Sequence, residues 1–239
     1  MTTRIFAVVI GLGAMTTVAQ AGDDGWLELF SGQNLSAWRQ PAGDWTIAGA
    51  VAVDPQDAQR LTWQPGTGVA VNGPQGRTVD LISTQEFGDV EVHVEFMISA
   101  HSNSGVYFMG RYDVQIYDSF GVTKDKYPVI ESGGIYPRWL DNHEVDGHSP
   151  RVNVARAPGQ WQTFDVTFRA PRFDAAGQKT RPAEFVKVVH NGTVVHENVS
   201  VSGPTRAAHW NAEQPTGPLL LQGDHGPVAY RNVRVRPLP

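Results

Sequence analysis

The stretch Val90-Glu-Val-His-Val-Glu-Phe-Met-Ile98 alternates apolar and polar side chains with a period of two. In an extended chain the valines, Phe96 and Ile98 share one face, and Glu91, His93 and Glu95 share the other. This pattern is typical of a strand that packs one face on a core and presents the other outward. The stretch therefore predicts a β-strand in a layered, sheet-based fold.

Residues 105–117 repeat the alternation over a longer run. If this run lies beside Val90–Ile98, the two form one polar outward surface made of Glu91, His93, Glu95, Tyr107, Arg111, Asp113 and Gln115. A sheet face that simply meets water would alternate in the same way. The mixture of acids, imidazole, guanidinium, amide and phenol, in place of Lys, Thr and Ser, favours a surface that binds hydroxyl groups and transfers protons.

The rest of the chain is also strand-like. Asn191-Gly192 separates two β-rich runs and predicts a tight hairpin, because both central residues must accept positive φ. A final strand near residues 228–235 is expected to return beside the start of the chain. No segment longer than ten residues has a helical period. We predict an all-β, two-sheet sandwich formed by a single domain over residues 22–239, with long loops at residues 124–151 and 204–215.

The first 21 residues have the pattern of a secretory leader. Arg4 precedes an apolar stretch, and Ala19-Gln20-Ala21 is a small-x-small cleavage site. The apolar stretch is too short to span a bilayer, although a retained anchor is the alternative. We expect cleavage after Ala21, no membrane insertion of the mature chain, and a periplasmic or secreted location.

Composition narrows the function classes. The 239 residues include no cysteine, which removes disulfides, thiol redox chemistry and thiolate metal sites. A net charge of −5 argues against nucleic acid or an anionic membrane as partner. No phosphate loop, dinucleotide fingerprint, nucleophile elbow or His-Glu-x-x-His motif occurs. Nucleotide, serine-hydrolase and zincin chemistry are therefore unsupported.

Two polar loops are further candidates for chemistry. Residues 141–148 contain several carboxylates and histidines, but they lack the ligand order of a calcium loop and the spacing of a zinc site, so a solvated loop is favoured. Asp224-His225-Gly226 forms a compact polar turn. Its Asp either caps backbone amides or orients the imidazole, and sequence adjacency alone does not decide between these roles.

Several blocks of the chain resemble the 3-keto-disaccharide hydrolase domain family. They are Trp26-Leu-Glu-Leu-Phe-Ser-Gly-Gln-Asn-Leu-Ser-Ala-Trp38, Glu86-Phe-Gly-Asp-Val-Glu-Val-His-Val-Glu-Phe96, Asn103-Ser-Gly-Val-Tyr107, Tyr112-Asp-Val-Gln-Ile-Tyr-Asp118, Asp146-Gly-His-Ser-Pro-Arg-Val-Asn153, Pro158-Gly-Gln-Trp161, Phe168-Arg-Ala-Pro-Arg-Phe-Asp174 and Leu221-Gln-Gly-Asp-His-Gly-Pro-Val-Ala-Tyr-Arg-Asn232. The resemblance implies a concanavalin A-like jelly roll whose concave face binds carbohydrate. Gln160 stands where a Glu is common in the family, and Tyr117 where an aliphatic residue is frequent.

The resemblance also implies cleavage of glycosides that carry a ketone at sugar C3. Such a reaction needs a base near C2, an acid near the glycosidic oxygen and a donor or cation at the C3 oxygen. We assign His225 or Glu95 as base, Asp118 or Glu95 as acid, and Arg111 or a divalent metal as the group that stabilises the enolate. His93, Tyr107, Gln115 and Tyr136 are expected to bind the sugar. A divalent metal is the one cofactor that this assignment allows, and the assignment does not require it.

A lectin-like module without turnover is the alternative, because one fold serves both binding and catalysis. Such a module would keep the aromatic and hydroxyl-binding groups but would need no base with a shifted pKa. Turnover of a 3-keto-glycoside, as opposed to binding of an unmodified glycan, separates the two functions.

Overall fold

The protein is described by a computed structural model that covers residues 24–123 and 130–239. The expected leader, residues 1–21, lies outside the described residues, as does part of the long loop at 124–151. No helix in the described ranges is long and apolar enough to cross a membrane.

The described residues form two main antiparallel sheets and contain no helix. The large sheet consists, in spatial order, of β14 (Thr193–Val201), β13 (Ala183–His190), β10 (Gln162–Arg169), β5 (Val90–Ile98), β16 (Val228–Pro237), β3 (Asp57–Val71) and β2 (Thr46–Asp54), with β1 (Leu27–Phe30) paired to β16. The small sheet consists of β4 (Leu81–Phe87), β15 (Gly217–Leu221), β6 (Asn103–Phe108) and β7 (Tyr112–Tyr117). The predicted all-β jelly-roll sandwich is confirmed.

Two short hairpins project from the sheets. One is formed by β8 (Arg138–Leu140) and β9 (His143–Val145), and the other by β11 (Arg172–Phe173) and β12 (Lys179–Arg181). The hairpin predicted at Asn191-Gly192 is present between β13 and β14, with φ angles of 50° and 79° at its two central residues. The last strand, β16, lies beside β1 as expected.

The core lies between the two sheets. Val92, Val94 and Phe96 of β5 belong to the same buried cluster as Val106, Phe108 and Val114 of the small sheet. The ring of Phe108 lies 5.0 Å from that of Phe168 in the large sheet, centroid to centroid. Burial of this apolar face is the main stabilising contribution to the sandwich.

Val90–Ile98 and residues 105–117 do not lie side by side, so the condition for a single shared polar surface is not met. β5 belongs to the large sheet, whereas residues 105–117 are two strands of the small sheet joined by a turn. Met109 and Gly110 have φ angles of 56° and 62° in that turn. Alternation identifies which face of a strand is buried, but not which strand lies next to it. The two apolar stripes face each other across the core, so their polar faces point in opposite directions.

Candidate active site

A row of side chains crosses the outer face of the small sheet. The register pairs Ile82 of β4 with Leu220 of β15, Leu220 with Tyr107 of β6, and Tyr107 with Asp113 of β7. The backbone N–H of Tyr136 donates to the carbonyl of Asp113 at 3.0 Å and extends the row by one segment. Alternation turns these side chains away from the core.

Asp113 is the most buried acid of this face, with 1% of its surface exposed. Among the described residues its Oδ1 has no hydrogen-bond partner, and burial raises the pKa of the carboxyl well above its usual value. Gly105 on the neighbouring strand permits this arrangement, because a Cβ there would collide with both Asp113 Oδ1 and the ring of Tyr107. Burial therefore favours the protonated form of the Asp113 carboxyl, next to the ring of Tyr107.

Tyr107 lies at the centre of a group of acids. It is 4% exposed, and burial raises the pKa of its phenol, with further contributions from the nearby Asp113, Asp80, Tyr136 and Asp224. The phenol therefore stays protonated and can donate a hydrogen bond to an oxygen that gains negative charge. The pKa of Tyr136 is also raised, first by burial and then by Asp113.

Asp80 and His209 form one imidazole–carboxylate pair. Asp80 Oδ1 accepts the backbone N–H of Gly223 at 2.9 Å, and its Oδ2 lies 3.9 Å from His209 Nδ1. Burial raises the pKa of Asp80, and the Gly223 bond opposes this. His209 comes from the 204–215 loop, which is fixed to the β6–β7 turn by the His209 N–H bond to the Gly110 carbonyl at 3.1 Å.

His225 and Asp224 form a second pair on the turn after β15. His225 Nδ1 contacts the Asp224 carboxylate, and the side-chain amide of Gln222 lies 3.0 Å from the same nitrogen. Nε2 of His225 has no hydrogen-bond partner among the described residues. The charge of Asp224 raises the pKa of Asp80, and the two imidazoles lower it. The two imidazole–carboxylate pairs therefore lie close enough to interact electrostatically. The Asp224 carboxylate therefore contacts the imidazole of the residue that follows it in sequence.

The structure groups four of the predicted site residues on this face. Tyr107, Gln115, Tyr136 and His225 belong to the outer face of the small sheet or its borders. Gln115 is 3% exposed, and its backbone pairs with Gly133 and Gly134.

Glu95 and His93 lie elsewhere, on the outer face of the large sheet. Glu95 accepts hydrogen bonds from Arg231 Nε and Asn232 Nδ2, both at 2.6 Å. Burial alone would raise its pKa, but these bonds and the Arg231 charge lower it. His93 Nδ1 lies 2.6 Å from Asp165 Oδ1. The expected convergence of Glu95 with His225 in one site is therefore wrong, because the core separates the two faces.

Arg111 and Asp118 make mainly backbone contacts. Arg111 donates to the carbonyls of Met109 and Ala212, at 2.7 Å each, which ties the 204–215 loop to the β6–β7 turn. Burial lowers the pKa of its guanidinium. Asp118 Oδ2 accepts the N–H of His101 at 2.9 Å and stabilises a residue with a φ of 58°. Both side chains hold loops next to the site.

Metal binding has no preformed cluster in the described ranges. No group of three or more His, Cys, Asp or Glu there has the arrangement of a metal site. The ligand-rich stretch at 141–148 forms the β8–β9 hairpin and the turn that follows it.

Sequence reasoning missed Asp80, His209 and Trp210, whose ring contacts that of His209 edge to face. Asp80 precedes β4, and the other two residues lie in a loop. None of them belongs to an alternating run, so the sequence does not predict which way their side chains point. Asp113 was placed on the polar face but was not selected as a site residue. Its lack of a cationic partner, which distinguishes it, depends on tertiary contacts.

Comparison with known proteins assigns the family. Residues 25–236 match the model of the 3-keto-alpha-glucoside-1,2-lyase-like domain. The chain belongs to this family. This confirms the resemblance stated from the sequence, and it is consistent with an outer face that carries acids, imidazoles and a phenol. A search of curated proteins gives no match.

Solved structures with the same architecture come from Parabacteroides distasonis ATCC 8503. One candidate glycosyl hydrolase is 25% identical, with 90% of this chain and 84% of that chain covered and a TM-score of 0.63. A second is 17% identical, with 92% and 99% coverage and a TM-score of 0.60. The second likeness extends to the fold alone.

Proposed function

We propose that this family member cleaves glycosides oxidised to a ketone at sugar C3, by elimination across C1 and C2, on the outer face of the small sheet. The observation that carries the proposal is the joint placement of two imidazole–carboxylate pairs around one neutral phenol. The pairs are His225 with Asp224 and His209 with Asp80, and the phenol is Tyr107. The family match supports the same chemistry.

The ketone makes the C2 hydrogen acidic, because the electron pair left on C2 is delocalised onto the C3 oxygen as an enolate. His225 is the proposed base, since Asp224 fixes Nδ1 and leaves Nε2 for the proton. Tyr107 and the neutral carboxyl of Asp113 are the proposed donors near the enolate oxygen. Neutral donors retain their protons as the negative charge develops.

The second half of the reaction breaks the C1–O bond. The enolate electron pair re-forms the C3 carbonyl and a C1–C2 double bond, and the leaving oxygen takes a proton. Asp80, whose pKa is raised by burial, is the proposed acid, together with His209. Addition of water across the new double bond would convert the lyase product into the hydrolysis product.

The test is incubation with a 3-keto-glucoside and with its unoxidised parent, with and without divalent metal. We expect loss of the 3-keto substrate only, with an unsaturated keto-sugar or its hydrate as product. In deuterated water, exchange at C2 should precede cleavage and should depend on His225. If neither substrate reacts at high protein concentration while an unmodified oligosaccharide binds, the protein is a binding module and the proposal is wrong.

A further inference from the structure

A concavity lies on the same outer face, beside the 204–215 loop. It has a volume of about 290 Å³, and its lining includes Arg39, Glu86, Arg111, Trp210, Thr216 and Pro218. Glu86 and Pro218 are cross-strand partners in β4 and β15, and the next residue of each strand packs in the core. The concavity is therefore an extension of the candidate active site along these two strands.

Trp210 connects the concavity to the proton-transfer groups. Its ring contacts that of His209 edge to face, with centroids 4.3 Å apart, and His209 in turn faces Asp80. A group bound against Trp210 would thus lie next to the proposed acid. Aromatic side chains provide flat apolar area with low conformational freedom, which suits a sugar ring or a planar substituent.

The charge of the concavity is positive. Arg111 is 6% exposed, and it forms no ion pair with a carboxylate in the part of the chain that the structure describes. Within residues 24–123 and 130–239, Arg39 pairs with one carboxylate, with Nη2 3.4 Å from Glu86 Oε1. Glu86 and Glu213 both act electrostatically on Arg111, but Glu213 also forms an ion pair with Lys179. With Arg39 included, three cations therefore meet two carboxylates in this part of the described structure. A partly buried cation without an opposite charge favours an anionic ligand.

We infer that the concavity around Trp210 is the subsite for the leaving group and that it prefers a leaving group with an anionic substituent. The substituent is a carboxylate, as in a uronic acid, or a phosphate or sulfate ester. The assignment of this concavity to the leaving group rests on the proposed function. The preference for an anion rests on the two arginines and Trp210. Arg39 supplies the accessible charge, because Arg111 is already engaged by backbone carbonyls.

Calorimetry tests the subsite without requiring turnover. Methyl glucuronide and methyl glucoside differ only at C6, and we expect the acid to bind about threefold to fivefold more tightly at low salt, the effect of one partly exposed ion pair. Arg39→Gln should remove the preference, and about 0.5 M salt should reduce it. Glucose 6-phosphate and glucose 6-sulfate then show which anion is preferred.

Arg169→Gln is the matched control, because Arg169 forms a similarly loose pair, 3.3 Å from Glu184, on the large sheet. It should leave the preference intact. Equal affinity for acid and neutral sugar, or a preference that survives Arg39→Gln, would overturn the subsite. Failure to cleave any 3-keto substrate would overturn the proposed function instead, and the binding preference would still support an anion site at Trp210.

Discussion

The two outer faces of the sandwich are similarly rich in acids, but they treat those acids in opposite ways. On the large sheet, Glu91 and Glu95 each bind an arginine of β16. On the small sheet, Asp80 and Asp113 have no arginine or lysine partner within the described ranges, and burial raises the pKa of both. Paired acids stabilise a fold, whereas desolvated acids without a cation reduce stability and are typical of functional sites.

In a sandwich with two polar outer faces, the face whose buried acids lack a cationic partner among the described residues is the better candidate for proton-transfer chemistry. On the large sheet, the hydrogen bonds from Asn232 and Arg231 and the Arg231 charge outweigh burial and lower the pKa of Glu95, which disfavours proton donation by that carboxyl. On the small sheet, burial raises the pKa of Asp80, which lies 3.9 Å from His209, so a carboxyl biased toward its protonated form lies beside an imidazole. The comparison predicts separate consequences for substitutions on the two faces.

The largest expected effect is on turnover. His225→Asn and Asp80→Asn should each lower kcat/KM for a 3-keto-glucoside by roughly 10²–10⁴, the range for loss of a positioned acid or base. Glu95→Gln, on the other face, should change kcat/KM by less than about threefold, since it is far from the reacting atoms. Steady-state kinetics with melting curves measures both. Equal losses on the two faces would contradict the comparison.

Asp113 should produce the next largest effect, on stability. Because its folded pKa is raised, the unfolded chain releases the proton first, and the stability of the protein falls as pH rises from about 4. Asp113→Asn removes this loss and should raise the free energy of unfolding at pH 7.5 by about 1–3 kcal/mol. Turnover should fall at the same time.

Urea denaturation of parent and Asp113→Asn at pH 4 and pH 7.5 separates ionisation from packing. The difference in unfolding free energy should be small at the lower pH and grow at the higher one. A variant that is less stable at both pH values by the same amount would show that the carboxyl has a structural role independent of its charge.

The sequence was sufficient to predict the sandwich, because alternation reports burial directly. The stripes containing Val94 and Val114 are both fully buried, as expected. Which strands pair with each other was not predictable from the sequence. For example, β5 and β6 are close in sequence, yet they belong to different sheets. An apolar stripe fits equally well beside its neighbour or across the core from it, and only the complete set of strand pairings decides.

The candidate site was predictable only in part, for the same reason. Tyr107 and Gln115 follow from alternation within the small sheet, and His225 follows from a conspicuous turn. Glu95 has the same local pattern, but its arginine partner lies on a strand far along the chain. Asp80 and His209 are brought together by a loop that crosses the sheet, and loop paths have no period in sequence.

The smallest expected effect is that of Glu95 on stability. Hydrogen bonds from Arg231 and Asn232 lower its folded pKa, so Glu95 contributes stability above its unfolded pKa, and this contribution is lost as pH falls through the folded value. Glu95→Gln should cost about 1 kcal/mol at pH 7.5, the scale of a partly exposed ion pair with a supporting hydrogen bond. The cost should shrink near pH 3, opposite in direction to the pH dependence of Asp113→Asn.

Glu184→Gln is the control for Glu95→Gln, because Glu184 lies 3.3 Å from Arg169 and its substitution should cost less. If Glu95→Gln instead stabilises the protein as pH rises, Glu95 is a desolvated acid like Asp113, and the contrast between the two faces does not hold.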